Sequence, residues 1–399
     1  MMTPSVPSIT RRAPPARNPE KGILFIAVSQ FGVAFSFNCI MSFMPFYILR
    51  MSEYGTKETM LWIGLILGIS PLVTAVAAPF WGSLTTRVRP KLLFQAGTFF
   101  NGVIFLLMGF AGSLPLLLVL RLCQGFLGGI STIGLVLIAS CSPEGRLHRH
   151  MSLFQNAITA GQLVGPPLGA YAVAFFGYRS PFLIAFGVVF MALLFCHHYV
   201  WDIPVRPRDG GKGRPGAAGV FWGWALGIVG TIHLTFLPSI LPHILEGFGR
   251  TGETAITTAG EIMMAYTATA ILGNYLVAAW SGRVSLARLI TVTCLSAAAL
   301  QALLYFSAGI YSFAAVRMLQ TGMIAAVFPL VITVFAADAR GSTLGFLNSA
   351  RFVGNSLGPL LATSIVAHYD LLILYLAIAG LTLGVLFAFL TATRRTLSR

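Results

Sequence analysis

Charged residues are scarce in this chain. Asp, Glu, Lys and Arg together make up 9% of its 399 residues, against about 25% in a soluble domain. Hydrophobic residues make up 56%, an excess that a soluble core cannot absorb but a bilayer can. The composition therefore excludes an ordinary soluble domain and predicts a chain that lies largely in lipid.

Paired cysteines, metal-ligand spacings and nucleotide-binding loops are also absent. The five cysteines lie in or beside apolar segments without paired spacing, which predicts small buried residues; they are Cys39, Cys123, Cys141, Cys196 and Cys294. Gly210-Gly211-Lys212-Gly213 lacks the spacing of a nucleotide loop. A single acyltransferase-like match, His197 to Asp202, ends a helix with no catalytic domain after it. We therefore predict no enzyme activity, no metal and no cofactor.

Apolar runs of roughly 20 residues, enough to cross a bilayer, occur twelve times. Six precede and six follow the polar stretch 201–219, which is a linker by composition. The predicted spans are 22–50, 60–84, 92–112, 115–140, 151–176, 182–200, 219–244, 257–280, 289–308, 310–336, 345–368 and 370–393. The expected organisation is an all-α protein with bundles at 22–200 and 220–393, the cytoplasmic linker 201–219, a disordered tail over 1–21 and a short tail over 394–399.

Basic residues are unevenly distributed between the two sides of the predicted spans. Of the 26 Lys and Arg residues, 19 lie on the side of the termini and linker, 4 on the opposite side and 3 inside spans. By the positive-inside rule both termini and the linker are cytoplasmic. The net charge of +15 thus reflects membrane topology rather than nucleic-acid binding. We expect a multi-pass plasma-membrane protein, which would be an inner-membrane protein in a Gram-negative bacterium.

Two motifs recur about half a chain apart. Gly161-Gln162-Leu163-Val164-Gly165-Pro166 returns 193 residues later as Gly354-Asn355-Ser356-Leu357-Gly358-Pro359, and Arg121-x-x-Gln124 returns 196 residues later as Arg317-x-x-Gln320. Matching order and offset indicate a duplicated membrane unit, which is how many secondary transporters are built.

These motifs resemble those of the major facilitator superfamily, most closely its drug:proton antiporter group. The similar segments are Arg121-x-x-Gln124-Gly125 with Gly128-Gly129, Gly161-x-x-x-Gly165-Pro166-Pro167-x-Gly169, Gly177-Tyr178-Arg179-Ser180-Pro181-Phe182 and Pro45-Phe46-Tyr47. The resemblance runs from Ile23 to the last span. It implies twelve transmembrane helices in two six-helix bundles, with a central site open to one face at a time.

One loop departs from the family pattern. After the second span the family shows Gly-x-x-x-Asp-Arg-x-Gly-Arg-Lys. Here Gly82, Arg87 and Lys91 remain, but Thr86 stands in place of the acid and Arg89 in place of the second glycine. Because threonine carries no charge, we expect a weaker or differently built cytoplasmic latch.

Polar residues inside the spans are the candidates for a substrate cavity. A charge at membrane depth costs roughly 2.5–3.5 kcal/mol on insertion scales, so such residues should face the interior or water, although a long arginine can also reach the interface. The candidates are Asn38, Arg121, Gln124, Asn156, Gln162, His233, Arg317, Gln320, Asn348 and Arg351; aromatic walls would come from Phe31, Phe35, Phe46, Tyr47 and Trp224. Few fixed charges beside aromatic residues would favour apolar or amphipathic substrates.

Carboxylates are almost missing from the spans. Of eleven Asp and Glu residues only Glu261 enters one, about one turn deep. The first six spans contain none, and Asn38 stands mid-helix there instead. Proton coupling would then rest on His233, because histidine titrates near neutrality, or on Glu261. The alternatives are a neutral His233 hydrogen-bonded across helices and an interfacial Glu261.

Glycine repeats and prolines in the fifth and eleventh spans are candidate moving parts. Glycine at four-residue spacing lets helices approach closely, and a proline permits a bend. We expect Gly161, Gly165, Pro166, Gly169, Gly354, Gly358 and Pro359 to form a helix pair at the contact between two rocking halves, together with the Gly82, Arg87 and Lys91 loop. Static packing is the alternative.

The sequence therefore predicts a secondary transporter that works by alternating access, as a monomer with the bilayer and a small molecule as partners. Proton-coupled export of a small apolar or amphipathic compound is the favoured function, with an ion gradient in place of a cofactor. The alternatives are a facilitator, a specific exporter of a metabolite, lipid or chelate, and a non-transporting scaffold or sensor.

Overall fold

The fold is taken from a computed structural model that describes residues 19–85, 87–142, 146–200, 216–336 and 341–397. Over these residues it is α-helical without strands. The helices are α1 Pro19–Met51, α2 Thr56–Leu84, α3 Pro90–Met108, α4 Leu114–Leu127, α5 Ile130–Cys141, α6 Leu147–Phe176, α7 Ser180–Tyr199, α8 Ala217–Gly247, α9 Gly252–Trp280, α10 Leu286–Leu303, α11 Ile310–Ile324, α12 Val327–Ala336, α13 Gly341–His368 and α14 Leu371–Leu397.

Every predicted span overlaps a helix or a pair of helices. The fourth predicted span is divided into α4 and α5 at Gly128-Gly129, and the tenth into α11 and α12 at Ala325-Ala326. Among the described residues, nine helical segments are long and apolar enough to cross a membrane. Residues 1–18 of the predicted tail, residues 201–215 of the predicted linker, Thr86 and residues 398–399 lie outside the described part of the chain.

Local sequence explains several helix ends. Ser113 begins α4 by accepting a hydrogen bond from Leu116 N on its side-chain oxygen, and Pro115 follows in the first turn, where its missing N–H is not needed. Gly177 ends α6 with φ of 83°, a left-handed value that residues with a Cβ rarely adopt.

The helices form two bundles with the same internal arrangement. In the first, α1 packs against α6 and α7; in the second, α8 packs against α13 and α14. These pairs occupy matching places in the two repeats found in the sequence. The predicted duplication therefore appears as two similarly built bundles, α1–α7 and α8–α14.

The two bundles share an apolar core at one end only. We call the end that carries the start of α1, the end of α7, the start of α8 and the end of α14 the linker face, and the other end the opposite face. Near the opposite face one core includes Phe43 and Ile63 of the first bundle with Leu241 and Ile256 of the second. Near the linker face each bundle has a core of its own, around Phe94 in the first and Phe389 in the second. Among the described residues the bundles therefore share a core near the opposite face and have separate cores near the linker face. We call the space between them on the linker side the cleft.

Glycines on α2 and α9 make the contact between the bundles, which we call the seam. A Cβ added at Gly68 of α2 would lie 2.8 Å from Ser356 O of α13, and one added at Gly260 of α9 would lie 3.0 Å from Pro166 O of α6. Real Cβ atoms almost never come closer than 3.0 Å to another heavy atom. The seam therefore joins α2 to α13 and α6 to α9 at distances that need glycine.

Candidate functional site: a cleft between two bundles

A buried arginine cluster holds the first bundle together. Arg121 of α4 donates from Nε to Ile66 O at 2.9 Å, from one terminal nitrogen to Leu67 O at 3.1 Å, and from the other to Gln124 Oε1. Pro71 has no N–H, so the carbonyl of Leu67 lacks its usual partner within α2. The guanidinium supplies the missing donor and fixes α4 to α2. We call this set, with Asn101, which accepts from Gln124 Nε2 at 3.3 Å, the first clamp.

A matching second clamp lies inside the second bundle. Arg317 of α11 donates to Gln320 Oε1 at 2.5 Å and to His233 O of α8 at 2.8 Å. Gln320 Nε2 in turn donates to Gln301 Oε1 of α10 at 3.0 Å. The Arg317 guanidinium carbon lies 4.8 Å from the ring centroid of Phe236, a distance at which a cation and an aromatic ring attract.

Hydrogen bonds define the tautomer of His233. Its Nδ1 lies 2.5 Å from Gln320 Nε2, which is a donor because the amide oxygen accepts from Arg317. Its Nε2 lies 2.7 Å from Thr382 Oγ1, whose own hydrogen is donated to Ile378 O. His233 therefore accepts at Nδ1 and donates at Nε2, as a neutral imidazole does. This geometry favours a structural histidine, and its predicted part in proton coupling stays a prediction.

Five of the predicted cavity residues are thus buried inside the bundles. Arg121 and Gln124 are 1% and 2% exposed, and His233, Arg317 and Gln320 are all 0% exposed. Their polar atoms bind neighbouring helices of the same bundle. The structure places these five in the clamps rather than on the walls of the cleft.

The remaining predicted cavity residues lie on exposed or half-exposed positions of α1, α6 and α13. Asn156, Asn348 and Arg351 are exposed, and Gln162 and Asn38 are half-buried. Asn348 precedes Ser356 and Pro359, which meet α2 at the seam, by two and three helical turns. It therefore lies on the linker side of the contacts that these two residues make with α2.

A predicted cavity residue of α6 also lies on the linker side of a seam contact. Gln162 lies one turn before Pro166, which meets Gly260 at the seam. Arg351 contributes the cation of this region, with its guanidinium carbon 5.6 Å from the ring centroid of Phe328. Asn38 donates to Ala34 O at 2.8 Å. The linker-side halves of α6 and α13 thus each present polar side chains at exposed or half-buried positions.

The predicted aromatic walls are divided in the same way. Phe35, Phe46 and Tyr47 are buried at 7–9% exposure, whereas Phe31 and Trp224 are half-buried. Trp224 donates from Nε1 to Ser349 Oγ at 2.9 Å. It is thereby fixed to α13 beside Asn348.

The glycine repeats pack within their own bundles, which corrects the expectation that they form the contact between the halves. A Cβ at Gly161 would lie 2.6 Å from Phe35 N of α1, one at Gly165 would lie 2.9 Å from Phe35 O, and Gly169 meets Cys39 O. In the second bundle Gly354 and Gly358 meet α8 at Thr231 and Thr235. The missing side chains let α6 touch α1, and α13 touch α8, along their lengths.

The same two helices reach the seam through other faces. The carbonyl of Pro166 meets Gly260, and the carbonyl of Pro359 lies 3.2 Å from a Cβ built on Gly64. Of the residues predicted at the contact between the halves, Pro166 and Pro359 therefore lie at the seam, whereas the glycines of the two repeats face their own bundles.

The loop after α2 makes hydrogen bonds to residues of the first bundle. Thr85 Oγ1 donates to Gly82 O at 2.7 Å, and Arg87 is exposed. Lys91 Nζ donates to His197 O at 2.9 Å, near the carboxyl end of α7, where a cation is favourable. Lys91 thus fastens α3 to α7.

A hydrogen bond crosses the seam between α6 and α9. Tyr171 Oη donates to Glu261 Oε1 at 2.6 Å. Glu261 was a predicted proton-coupling residue, whereas Tyr171 was not singled out, since nothing around it in the sequence distinguishes it from other tyrosines in spans. Glu261 is therefore the predicted coupling residue that touches both bundles.

Comparison with known proteins identifies the family. The sequence profile of the Major Facilitator Superfamily matches residues 26–252 and 223–399. The chain belongs to the Major Facilitator Superfamily. Its predicted resemblance is thereby confirmed, and it is a multi-pass membrane transporter.

Relatives within the superfamily include drug-efflux proteins. Multidrug resistance protein MdtG of Salmonella heidelberg (strain SL476) is 25% identical over 361 residues, covering 87% of this chain and 89% of that protein. The MdtG of Yersinia enterocolitica serotype O:8 is 30% identical over 204 residues, covering 51% and 49%.

Solved superfamily structures share the fold. An inward-facing, occupied bacterial homolog of the human lysosomal transporter Spinster matches with a TM-score of 0.76 at 14% identity, over 93% of this chain and 96% of that one. A D-xylose–proton symporter matches with a TM-score of 0.75 at 14% identity, over 92% and 96%.

Proposed function

We propose that this superfamily member exports a small apolar or amphipathic compound across the plasma membrane by alternating access, driven by a proton gradient. The observation that carries the proposal is the arrangement of the apolar cores. Both bundles share one core near the opposite face, and each bundle has a core of its own near the linker face. A chain sealed at one end and open at the other is in one of the two states that alternating access requires.

The charge distribution supports the direction of loading. Nineteen of 26 basic residues lie on the side of the termini and linker, which the positive-inside rule assigns to the cytoplasm. We therefore assign twelve spans with both termini cytoplasmic, and a cleft open to the cytoplasm. An exporter loads its substrate from that side.

The cleft walls support a neutral or anionic amphipathic substrate. The linker-side halves of α6 and α13 carry the amides Asn156, Gln162 and Asn348 and the cation Arg351, and no carboxylate. Amides donate and accept hydrogen bonds without charge, and a cation near an open cleft repels other cations. The favoured cargo is an apolar body with a polar or acidic end.

Glu261 is the group that we assign to proton coupling. Its bond to Tyr171 exists only while α6 and α9 meet at the seam. A hydrogen bond to a carboxylate is stronger than one to a neutral carboxylic acid. Protonation of Glu261 therefore weakens one state relative to the other, which is what an ion must do to bias a conformational equilibrium.

Proteoliposomes with an imposed pH gradient test the proposal. A panel of neutral and acidic amphipathic compounds is screened with the parent chain, Glu261→Gln and Tyr171→Phe. We expect the parent to move at least one compound against its gradient, and Glu261→Gln to lose gradient-driven flux while retaining exchange of labelled substrate. Glu253→Gln, another exposed glutamate of α9, is the matched control and should behave as the parent.

Two outcomes contradict parts of the proposal. Flux that an uncoupler leaves unchanged would favour a facilitator, to which the scarcity of carboxylates in the spans also points. No flux of any compound would favour a scaffold or sensor on the same fold.

A further inference from the structure

A second concave site lies in the second bundle, away from the cleft. A pocket of about 400 Å³ opens on the opposite face, between the ends of α8 and α10 and the first turns of α11 and α14. Its chemistry is set by His243, Glu246, Phe248, Ser307, Phe313 and Tyr375. Since all its lining residues belong to one bundle, the pocket is separate from the seam and from the proposed transport route.

Aromatic rings form much of its wall. The rings of Phe248 and Phe313 lie 5.9 Å apart with an interplanar angle of 56°, and Tyr305 and Tyr375 also line the pocket. The faces of aromatic rings are electrostatically negative, so several rings around one space attract an organic cation.

A carboxylate at the same pocket has no ion-pair partner among the described residues. Glu246 is exposed and forms no ion pair with any residue in the described ranges. The histidine beside it, His243, is also exposed. An unpaired carboxylate beside aromatic walls is complementary to a positively charged amine and repels anions.

One hydroxyl group of the pocket lacks a hydrogen-bond partner. Ser307 Oγ is buried without a partner among the described residues. Buried polar atoms are almost always hydrogen-bonded, and this hydroxyl can accept from an N–H group of an ammonium ion.

We propose that this pocket binds an alkylammonium group next to an apolar moiety. The carboxylate, the rings and the unpartnered hydroxyl of Ser307 are all suited to that chemistry. The group has two possible sources: a soluble amine, or the headgroup of an amine-bearing lipid such as phosphatidylethanolamine. The proposal concerns binding alone and does not depend on the transport function.

Binding of phenethylammonium to the full chain in phosphatidylglycerol nanodiscs, measured by titration calorimetry, tests the site. We expect saturable binding that the neutral 2-phenylethanol does not reproduce. Glu246→Gln should weaken it by roughly tenfold, as expected for loss of about 1.4 kcal/mol. Ser307→Ala, which removes the unpartnered hydroxyl, should weaken it by a few-fold. Glu253→Gln, an exposed glutamate outside the pocket, should bind as the parent does.

Lipid composition distinguishes the two sources. If phosphatidylethanolamine occupies the pocket, adding it to the nanodiscs should weaken phenethylammonium binding in proportion to its mole fraction. If the ligand is a soluble amine, affinity should not depend on that lipid. Either result supports an ammonium site.

Three results would overturn the proposal. They are no saturable binding of phenethylammonium to the parent, equal binding of 2-phenylethanol, and unchanged affinity in Glu246→Gln. Glu246 is exposed, so its replacement by glutamine should not prevent folding, and size-exclusion chromatography checks this directly.

Discussion

A methyl group at Gly260 should push the two bundles apart. Its Cβ would lie 2.6 Å from Ala170 Cβ, 3.0 Å from Pro166 O and 3.1 Å from Pro167 Cα. All three atoms belong to the first bundle, and none is the end of a flexible side chain. Overpacking of this kind costs about 1–3 kcal/mol.

A transporter that alternates between two conformations bears this overpacking cost only in the conformation in which the bundles touch at Gly260. Gly260→Ala destabilises the state in which α6 and α9 touch at the opposite face, and it leaves the state with that face open unaffected. A difference of about 1–3 kcal/mol corresponds to roughly a 5–150-fold change in the ratio of two states. The cleft should therefore be closed at the linker face for a larger share of the time.

Labelling of a cysteine in the cleft measures this change. The assay uses Asn348→Cys in a chain whose five native cysteines are replaced by serine, in inside-out vesicles treated with a membrane-impermeant maleimide. We expect Gly260→Ala to lower the labelling rate several-fold. Gly384→Ala is the control, because no atom lies within 4 Å of a Cβ built at that glycine of α14.

The reasoning is refuted if Gly260→Ala and Gly384→Ala are both labelled at the rate of the parent. Slower labelling in both variants would likewise contradict it, since the control meets no neighbouring atom. Faster labelling in Gly260→Ala would mean that contact at the seam keeps the cleft closed instead of closing the opposite face.

Two further predictions concern stability in detergent, measured as the thermal unfolding midpoint. Arg317→Lys should lower the midpoint strongly, because an ammonium cannot reproduce the forked hydrogen bonds to Gln320 and His233 and is left buried, at a cost of about 3–5 kcal/mol. Arg351→Lys, at an exposed position, should change the midpoint little. An equal loss in both variants would contradict the role of Arg317 as a clamp. Gly169→Ala should also lower the midpoint, because its Cβ would meet a backbone carbonyl of α1. Gly187→Ala should not, because the space around its Cβ is open. Equal midpoints in the two variants would show that α1 and α6 can separate without cost.

Helix positions were readable from the sequence because a bilayer demands long apolar runs. The division of the fourth span at Gly128-Gly129 has a sequence signal in its paired glycines. The division of the tenth at Ala325-Ala326 has a signal in Pro329. Its ring nitrogen cannot donate to the carbonyl of Ala325, four residues earlier, and its ring crowds that carbonyl.

The roles of the arginines were only half predictable. Depth in the span indicated that Arg121 and Arg317 face the protein interior, but not whether they face a bundle core or the cleft. That choice depends on distant partners, such as the carbonyl freed by Pro71 for Arg121 and the backbone carbonyl of His233 for Arg317. Spacing along one helix carries no information about them.

The glycine repeats show the same limit. Four-residue spacing predicts that another helix comes close, but it does not say which one. The glycines that form the seam lie on other helices. Gly64 and Gly68 on α2 are also four residues apart, whereas Gly260 on α9 belongs to no such repeat. Tyr171, which completes the bond across the seam, had no signal in the sequence.

The one-ended opening of the cleft also determines where the membrane voltage acts. Water that enters from the linker face conducts ions, so most of the voltage falls across the sealed half near the opposite face. One elementary charge moved through the full voltage changes in energy by about 2.3 kcal/mol per 100 mV. An anionic substrate leaving the cleft would cross nearly all of that drop within the short sealed layer. The crossing of that layer by any charge, either an anionic substrate that leaves or a coupled proton that enters, should therefore depend closely on the voltage, whereas the crossing of a neutral substrate by itself should not.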